Sequence, residues 1–135
     1  MPGVLSDHDP CPCGRPDPRG RPLSFGACCG RWRETPAPDA ECLMRSRYSA
    51  FVREDTATLL ATWHPRTRPA ALELEPGLRW LGLEVRDHRT TGADRAEVEF
   101  VARSRPITGA AHRLHERSRF LREDGRWYYL DGELS

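Results

Sequence analysis

Apolar and polar positions divide the chain into three stretches. From Asp9 to Pro38 there is little apolar periodicity, and prolines, glycines and four cysteines dominate. Such a stretch cannot fold by hydrophobic burial alone. From Asp39 a helical period sets in, with Ala40, Leu43, Met44, Arg47, Tyr48 and Phe51 recurring at three- and four-residue intervals. Asp39, directly after Pro38, is the expected N-cap. A turn near Arg53-Glu-Asp55 separates this helix from a shorter one over about 56–63, which Pro65 ends because proline lacks the amide donor and restricts His64 before it. The two should form a hairpin. The stretch from Pro69 to Glu75 is expected to add a third helical turn before Pro76-Gly77 stops it.

Beyond Gly77 the period falls toward two. Leu81, Leu83 and Val85 alternate within Arg79 to His88, and Ala96, Val98, Phe100 and Ala102 share one face of Arg95 to Arg103. Thr90 to Asp94 is the turn between them. His112 to Glu123 and Arg126 to Asp131 form a second pair, joined at Asp124-Gly125, where both residue types tolerate positive φ. The expectation is an α+β fold: two or three helices packed on a four-stranded antiparallel sheet.

At 135 residues the chain has room for one domain of ordinary size with its own core. No apolar run approaches the ~20 residues of a membrane span, so a membrane protein is not expected. The opening residues Met1 to Pro10 lack the basic and apolar regions of a secretory signal, which leads to the expectation of a cytoplasmic protein. All 21 non-histidine basic residues are arginine, and Lys, Asn and Gln are absent, the mark of a GC-rich coding bias. Balanced by 20 acidic residues, they leave a net charge of +1 and no overall basic field. Arg15, Arg19, Arg21, Arg31 and Arg33 nevertheless cluster around the cysteines, either as a solvated surface or as a contact for phosphate or an acidic partner.

Five cysteines, an odd number, do not suggest a disulfide framework in a reducing compartment. Cys11-x-Cys13, then fourteen residues, then Cys28-Cys29 offers two close pairs of thiolates, enough for a closed tetrahedral zinc shell. Four protein ligands leave no position for water or substrate, so the zinc is expected to be structural. Gly14, Gly26 and Gly30 supply tight turns. Cys42 falls on the first helix near its apolar face and reads as a small packed hydrophobe.

Cys-Pro-Cys-Gly at 11–14 and Phe-Gly-Ala-Cys-Cys-Gly at 25–30 resemble the SEC-C motif, a small zinc-binding element. Leu43 to Phe51, Thr62-Trp-His-Pro65, Trp80 to Leu83, Glu116 to Phe120 and Trp127 to Gly132 are similar to the YchJ family of bacterial proteins. The resemblance covers nearly the whole chain. It implies a domain like nuclear transport factor 2 (NTF2), a curved antiparallel sheet wrapped over helices into a cone with a pocket, at residues 39–135 behind a SEC-C-like module and linker at 1–38. It also implies a candidate homodimer through the open sheet face. The chain departs from the family in the Arg/Pro/Gly-rich insert around Arg15 to Arg21 and in lacking a second, C-terminal SEC-C motif.

Arg47 falls in the middle of the apolar face of the first helix, whereas Arg45 points well away. A buried guanidinium is costly without a partner, and Glu116 or Asp131 on the late strands is the expected carboxylate. Arg47 then either braces helix to sheet or receives an anionic ligand. His64, between Trp63 and Pro65, is a proton carrier or a cap. Trp63, Trp80 and Tyr129 are aromatic candidates for a cavity wall. No nucleophile elbow or phosphate loop is present. The leading expectation is a structural-zinc protein whose metal module contacts a protein or RNA partner, with the cone as scaffold or small-ligand receptor; the alternative is a pocket enzyme using His64, Asp131 and Glu116 as acid–base groups.

Overall fold

Asp39 caps the first helix as its position suggests, its Oδ1 accepting the Cys42 amide at 2.7 Å. The computed structural model describes residues 5–135; residues 1–4, the start of the expected segment 1–38, lie outside the described residues. Helix α1 runs Ala40–Val52, and Glu54, at φ 57°, turns the chain into α2, Thr56–Ala61, which Asp55 caps through the Thr58 amide. The helical turn expected at 69–75 does not form. Leu72-Glu-Leu-Glu75 alternates with period two between two prolines, and the segment forms neither helix nor strand, with both leucines half-buried.

Four strands follow: β1 Arg79–Gly92, β2 Arg95–Arg105, β3 His112–Glu123 and β4 Arg126–Leu134. They pair antiparallel in chain order in one sheet. The Asp124-Gly125 turn has φ of 52° and 76°, as a two-residue hairpin of this hand requires. Strand β1 carries three register shifts against β2. The first leaves Leu81 without a partner and 47% exposed, so it does not share a face with Leu83 and Val85 as simple alternation predicts. Bulges of this kind bend a strand and raise its twist.

The inner face of the sheet, with Ala96, Val98, Phe100, Ala102 and Phe120, packs on α1. The outer face carries ion pairs: Arg117 reaches Asp87, Glu97 and Glu99, and Arg119 reaches Asp131 and Glu133. After α2 the chain makes a parallel bridge from Trp63 to Tyr129, with the His64 amide donating to the Tyr129 carbonyl and the Tyr129 amide to the Thr62 carbonyl, both at 2.8 Å. Among the described residues no helix is long and apolar enough to cross a membrane.

The cysteine-rich segment is a small hairpin laid on α1. Bridges at Pro10 with Ser24 and Pro16 with Pro22 bring its arms together, and the Arg15–Arg21 insert forms its tip, where Asp17 Oδ1 accepts the amides of Arg19 and Arg21. A short 3-10 helix, Cys29–Arg33, leads out of it. Helix α1 is therefore covered on two sides, which is why Cys42, Ser49 and Ala50 are buried along with the sheet-facing residues.

Candidate metal centre

Two turns bring the cysteines together. The Cys11 amide donates to the Leu23 carbonyl at 2.8 Å, and the Gly14 amide returns to the Cys11 carbonyl, curling Cys11 and Cys13 inward. The Phe25 carbonyl accepts the amides of Cys28 and Gly30; a Cβ on Gly30 would lie 2.7 Å from that oxygen, so the turn needs glycine. Phe25 is buried beneath the site.

The sulfurs of Cys11, Cys13, Cys28 and Cys29 all lie within 4.8 Å of one another and all four residues are buried. Cys13 Sγ is 3.6 Å from both Cys11 Sγ and Cys28 Sγ. Four thiolates at ~2.3 Å from a tetrahedral metal would be ~3.8 Å apart, so this spacing fits a metal shell. It does not fit disulfides, whose sulfurs sit at ~2.05 Å, and all five cysteines are free.

The donor chemistry agrees. Hydrogen bonds from Cys13, then Cys28 and Cys29, pull the Cys11 thiol far down, while the same crowding, led by Cys11, pushes Cys28 and Cys29 far up. Cys13, pushed up by Cys11 but drawn down more strongly by Cys28 and Cys29 together, falls to about 7, so two thiolates form readily while Cys28 and Cys29 resist. A coordinated cation removes that resistance by deprotonating its thiol ligands outright. The four cysteines can hold a metal ion.

The cluster is tied to α1 through side chains. Ser49 Oγ lies 3.6 Å from Cys11 Sγ, Arg45 Nη1 donates to the Cys13 carbonyl at 3.2 Å, and Arg15 pairs with Glu41 at 2.8 Å. Arg45, expected to point away from the apolar face of α1, does so and points into the hairpin, a surface invisible to a helical wheel drawn for one partner. Cys42 stays outside the cluster and receives Arg15 Nη1.

On the sheet side of α1 a cavity of about 310 Å³ is lined by Arg47, Trp63, Trp80, Glu116 and Tyr129 from the sequence-derived set, together with Met44, Tyr48, Phe51, Leu114, Ser118 and others. His64 and Asp131 are not among its walls. His64 accepts the Arg66 amide at Nδ1 and donates from Nε2 to Glu123 at 2.8 Å, so both ring nitrogens are engaged away from the cavity. Asp131 pairs with Arg119 on the outer face at 2.6 Å.

Arg47 does not pair with either expected carboxylate. Its Nη1 donates to the Leu59 carbonyl at 2.8 Å and to Thr62 Oγ1 at 2.7 Å, and its guanidinium stacks 4.6 Å from the Tyr129 ring centroid. Burial pushes it down to about 10, opposed by Tyr129 and Glu116, so it stays charged at neutral pH. Glu116 Oε2 accepts from the Ser118 hydroxyl and from Tyr129 at 3.4 Å. Ser118 was invisible to sequence reasoning: an isolated serine in a strand carries no signal until Glu116 is placed beside it.

Comparison with known proteins follows this division. Residues 39–132 match the family model described as YchJ, middle NTF2-like domain. The chain is 66% identical over 128 residues to a UPF0225 protein of Methylibium petroleiphilum, covering 93% of this chain and 88% of that one. A UPF0225 protein of a Polaromonas species is 58% identical over 98% of this chain and 99% of its own. The solution structure of a SEC-C motif containing protein from Rhodopseudomonas palustris superposes with a TM-score of 0.78 at 32% identity, covering 94% of this chain and 99% of that one.

Proposed function

This chain belongs to the YchJ family, and from that premise we propose that it is a structural-zinc protein in which four cysteines fasten the segment 1–38 onto an NTF2-like small-ligand-binding domain at 39–135. The observation that carries the metal reading is the spacing of the four sulfurs, which matches a closed tetrahedral shell. Four soft thiolates favour zinc over harder cations. With every position filled by protein, the ion organises the chain and leaves chemistry to other sites. Free cysteines in such a site are consistent with a reducing, cytoplasmic setting. Arg19, Arg21 and Arg31 stand exposed around the hairpin and form the surface we assign to a protein or RNA partner.

The pocket is better suited to reception than to acid–base catalysis. Of the three acid–base candidates, only Glu116 reaches the cavity. The structural role of zinc is tested by hydrogen exchange with and without a strong chelator. Metal removal should abolish protection over 9–38 while Val98 and Phe120 keep theirs. Loss of protection across those strands would mean that the two segments fold as one unit.

A further inference from the structure

The pocket behind α1 holds two opposite charges that form no ion pair with each other. Arg47 is 6% exposed, makes both of its hydrogen bonds through Nη1, and has no carboxylate within the 4.0 Å of an ion pair; Nε and Nη2 find no protein acceptor among the described residues. Trp63 Nε1, in the same wall, is buried without any hydrogen-bond partner. Across the cavity, Glu116 is held only through Oε2, and Oε1 has no donor among the described residues. Tyr129 stands between the two charges, its ring face under the guanidinium and its hydroxyl toward Glu116.

This arrangement is built. A Cβ at Gly132 would lie 2.5 Å from Glu116 Oε2, so the carboxylate occupies the space a side chain would take on β4. Among the described residues the Trp63 indole N–H is the one fully buried polar side-chain atom without a partner, which is costly; Arg47 is desolvated beside it, and Glu116 is half-buried. The walls between them are apolar and aromatic, with Trp80 edge-to-face against Tyr48 and tilted against Phe51. Leu114, 38% exposed, lies at the side open to solvent.

A monoanion would satisfy Arg47 and Trp63 but leave Glu116 facing a second negative charge; a monocation would do the reverse. We propose that the pocket binds a small amphipathic zwitterion, a molecule with an apolar ring-sized body bearing a carboxylate and an ammonium group close together, as in an aromatic α-amino acid. The carboxylate is received by Arg47 Nε and Nη2 with the Trp63 indole N–H, and the ammonium group by Glu116 Oε1. The volume of about 310 Å³ suits a ligand of this size. This inference rests on the reading of the domain as a small-ligand receptor.

The test uses the full-length, metal-loaded protein in calorimetric titrations with L-phenylalanine, 3-phenylpropanoate, which lacks the ammonium group, and 2-phenylethylamine, which lacks the carboxylate. L-phenylalanine should bind at least tenfold more tightly than either control, since each control leaves one of the two pocket charges unpaired. Glu116→Gln should erase the preference over 3-phenylpropanoate, and Arg47→Met the preference over 2-phenylethylamine; the wild-type comparison stands even where a variant fails to fold. If either control binds as tightly as L-phenylalanine, the ligand class is wrong and the receptor reading survives. If none of the three binds, a native mass spectrum of the purified protein decides. A bound metabolite carrying both charges sustains the proposal, one lacking either charge overturns the class alone, and an empty pocket overturns the receptor reading with it.

Discussion

The hydroxyl of Ser49 on α1 lies 3.6 Å from the sulfur of Cys11 at the edge of the four-cysteine cluster. Both residues are buried. Once Cys11 is a metal-bound thiolate it has no proton to give, and Ser49 becomes the donor of an outer-shell hydrogen bond. Ser49→Ala should therefore weaken metal retention about tenfold or more without altering the secondary structure. Chelator competition followed by zinc release measures this; unchanged retention would reduce the contact to packing.

Arg47 braces α1 to α2 through the Leu59 carbonyl and Thr62, with no ion pair. Truncation to Ala removes those bonds and opens a hole, at a cost of about 3 kcal/mol. Arg47→Met keeps most of the volume and removes a desolvated charge, so its cost should stay under about 1 kcal/mol. Denaturant unfolding separates the two. Equal destabilisation would show that the hydrogen bonds, not the filled volume, hold the helices together.

Gly132 makes room for Glu116. Its replacement by Ala places a Cβ 2.5 Å from the carboxylate and should destabilise by about 1–3 kcal/mol. In a Glu116→Ala background the same change should cost little. A double-mutant cycle reads the coupling, and additive effects would contradict the placement of Glu116 over Gly132.

The outer face of the sheet sets an acid limit on stability. Arg117, with Arg89, holds the Asp87 carboxyl below its ordinary range, and the His115 hydrogen bond, with Arg117, does the same for Glu99. A depressed carboxylate stabilises the fold above its unfolded pKa, and that stabilisation is lost as pH falls through the folded value. Wild-type stability should fall on acidification below about pH 4, and Arg117→Ala should fall less steeply over the same range. Parallel pH profiles would show that Arg117 does not hold these carboxylates.

Much of this architecture is local and so was legible in the sequence. Asp39 and Asp124-Gly125 mark a helix start and a hairpin through their own backbone preferences, and paired cysteines mark a metal site by residue type alone. Asp131 shows where such reasoning stops. Alternation from Tyr129 puts Asp131 on the inner face, but Leu130 is an extra residue in β4, between the Phe120–Tyr129 and Arg119–Asp131 pairs, which turns Asp131 outward and Gly132 inward. Likewise Arg45 and Ser49 took their meaning from the hairpin laid across α1, a tertiary contact that the helical period does not encode.

We propose that Cys11, Cys13, Cys28 and Cys29 together hold one zinc ion. Elemental analysis of freshly purified wild-type protein beside a Cys28→Ser/Cys29→Ser variant tests it directly. The wild type should carry one zinc per chain and the variant should lose most of it. Absence of zinc from the wild type, or equal zinc in both proteins, would contradict it.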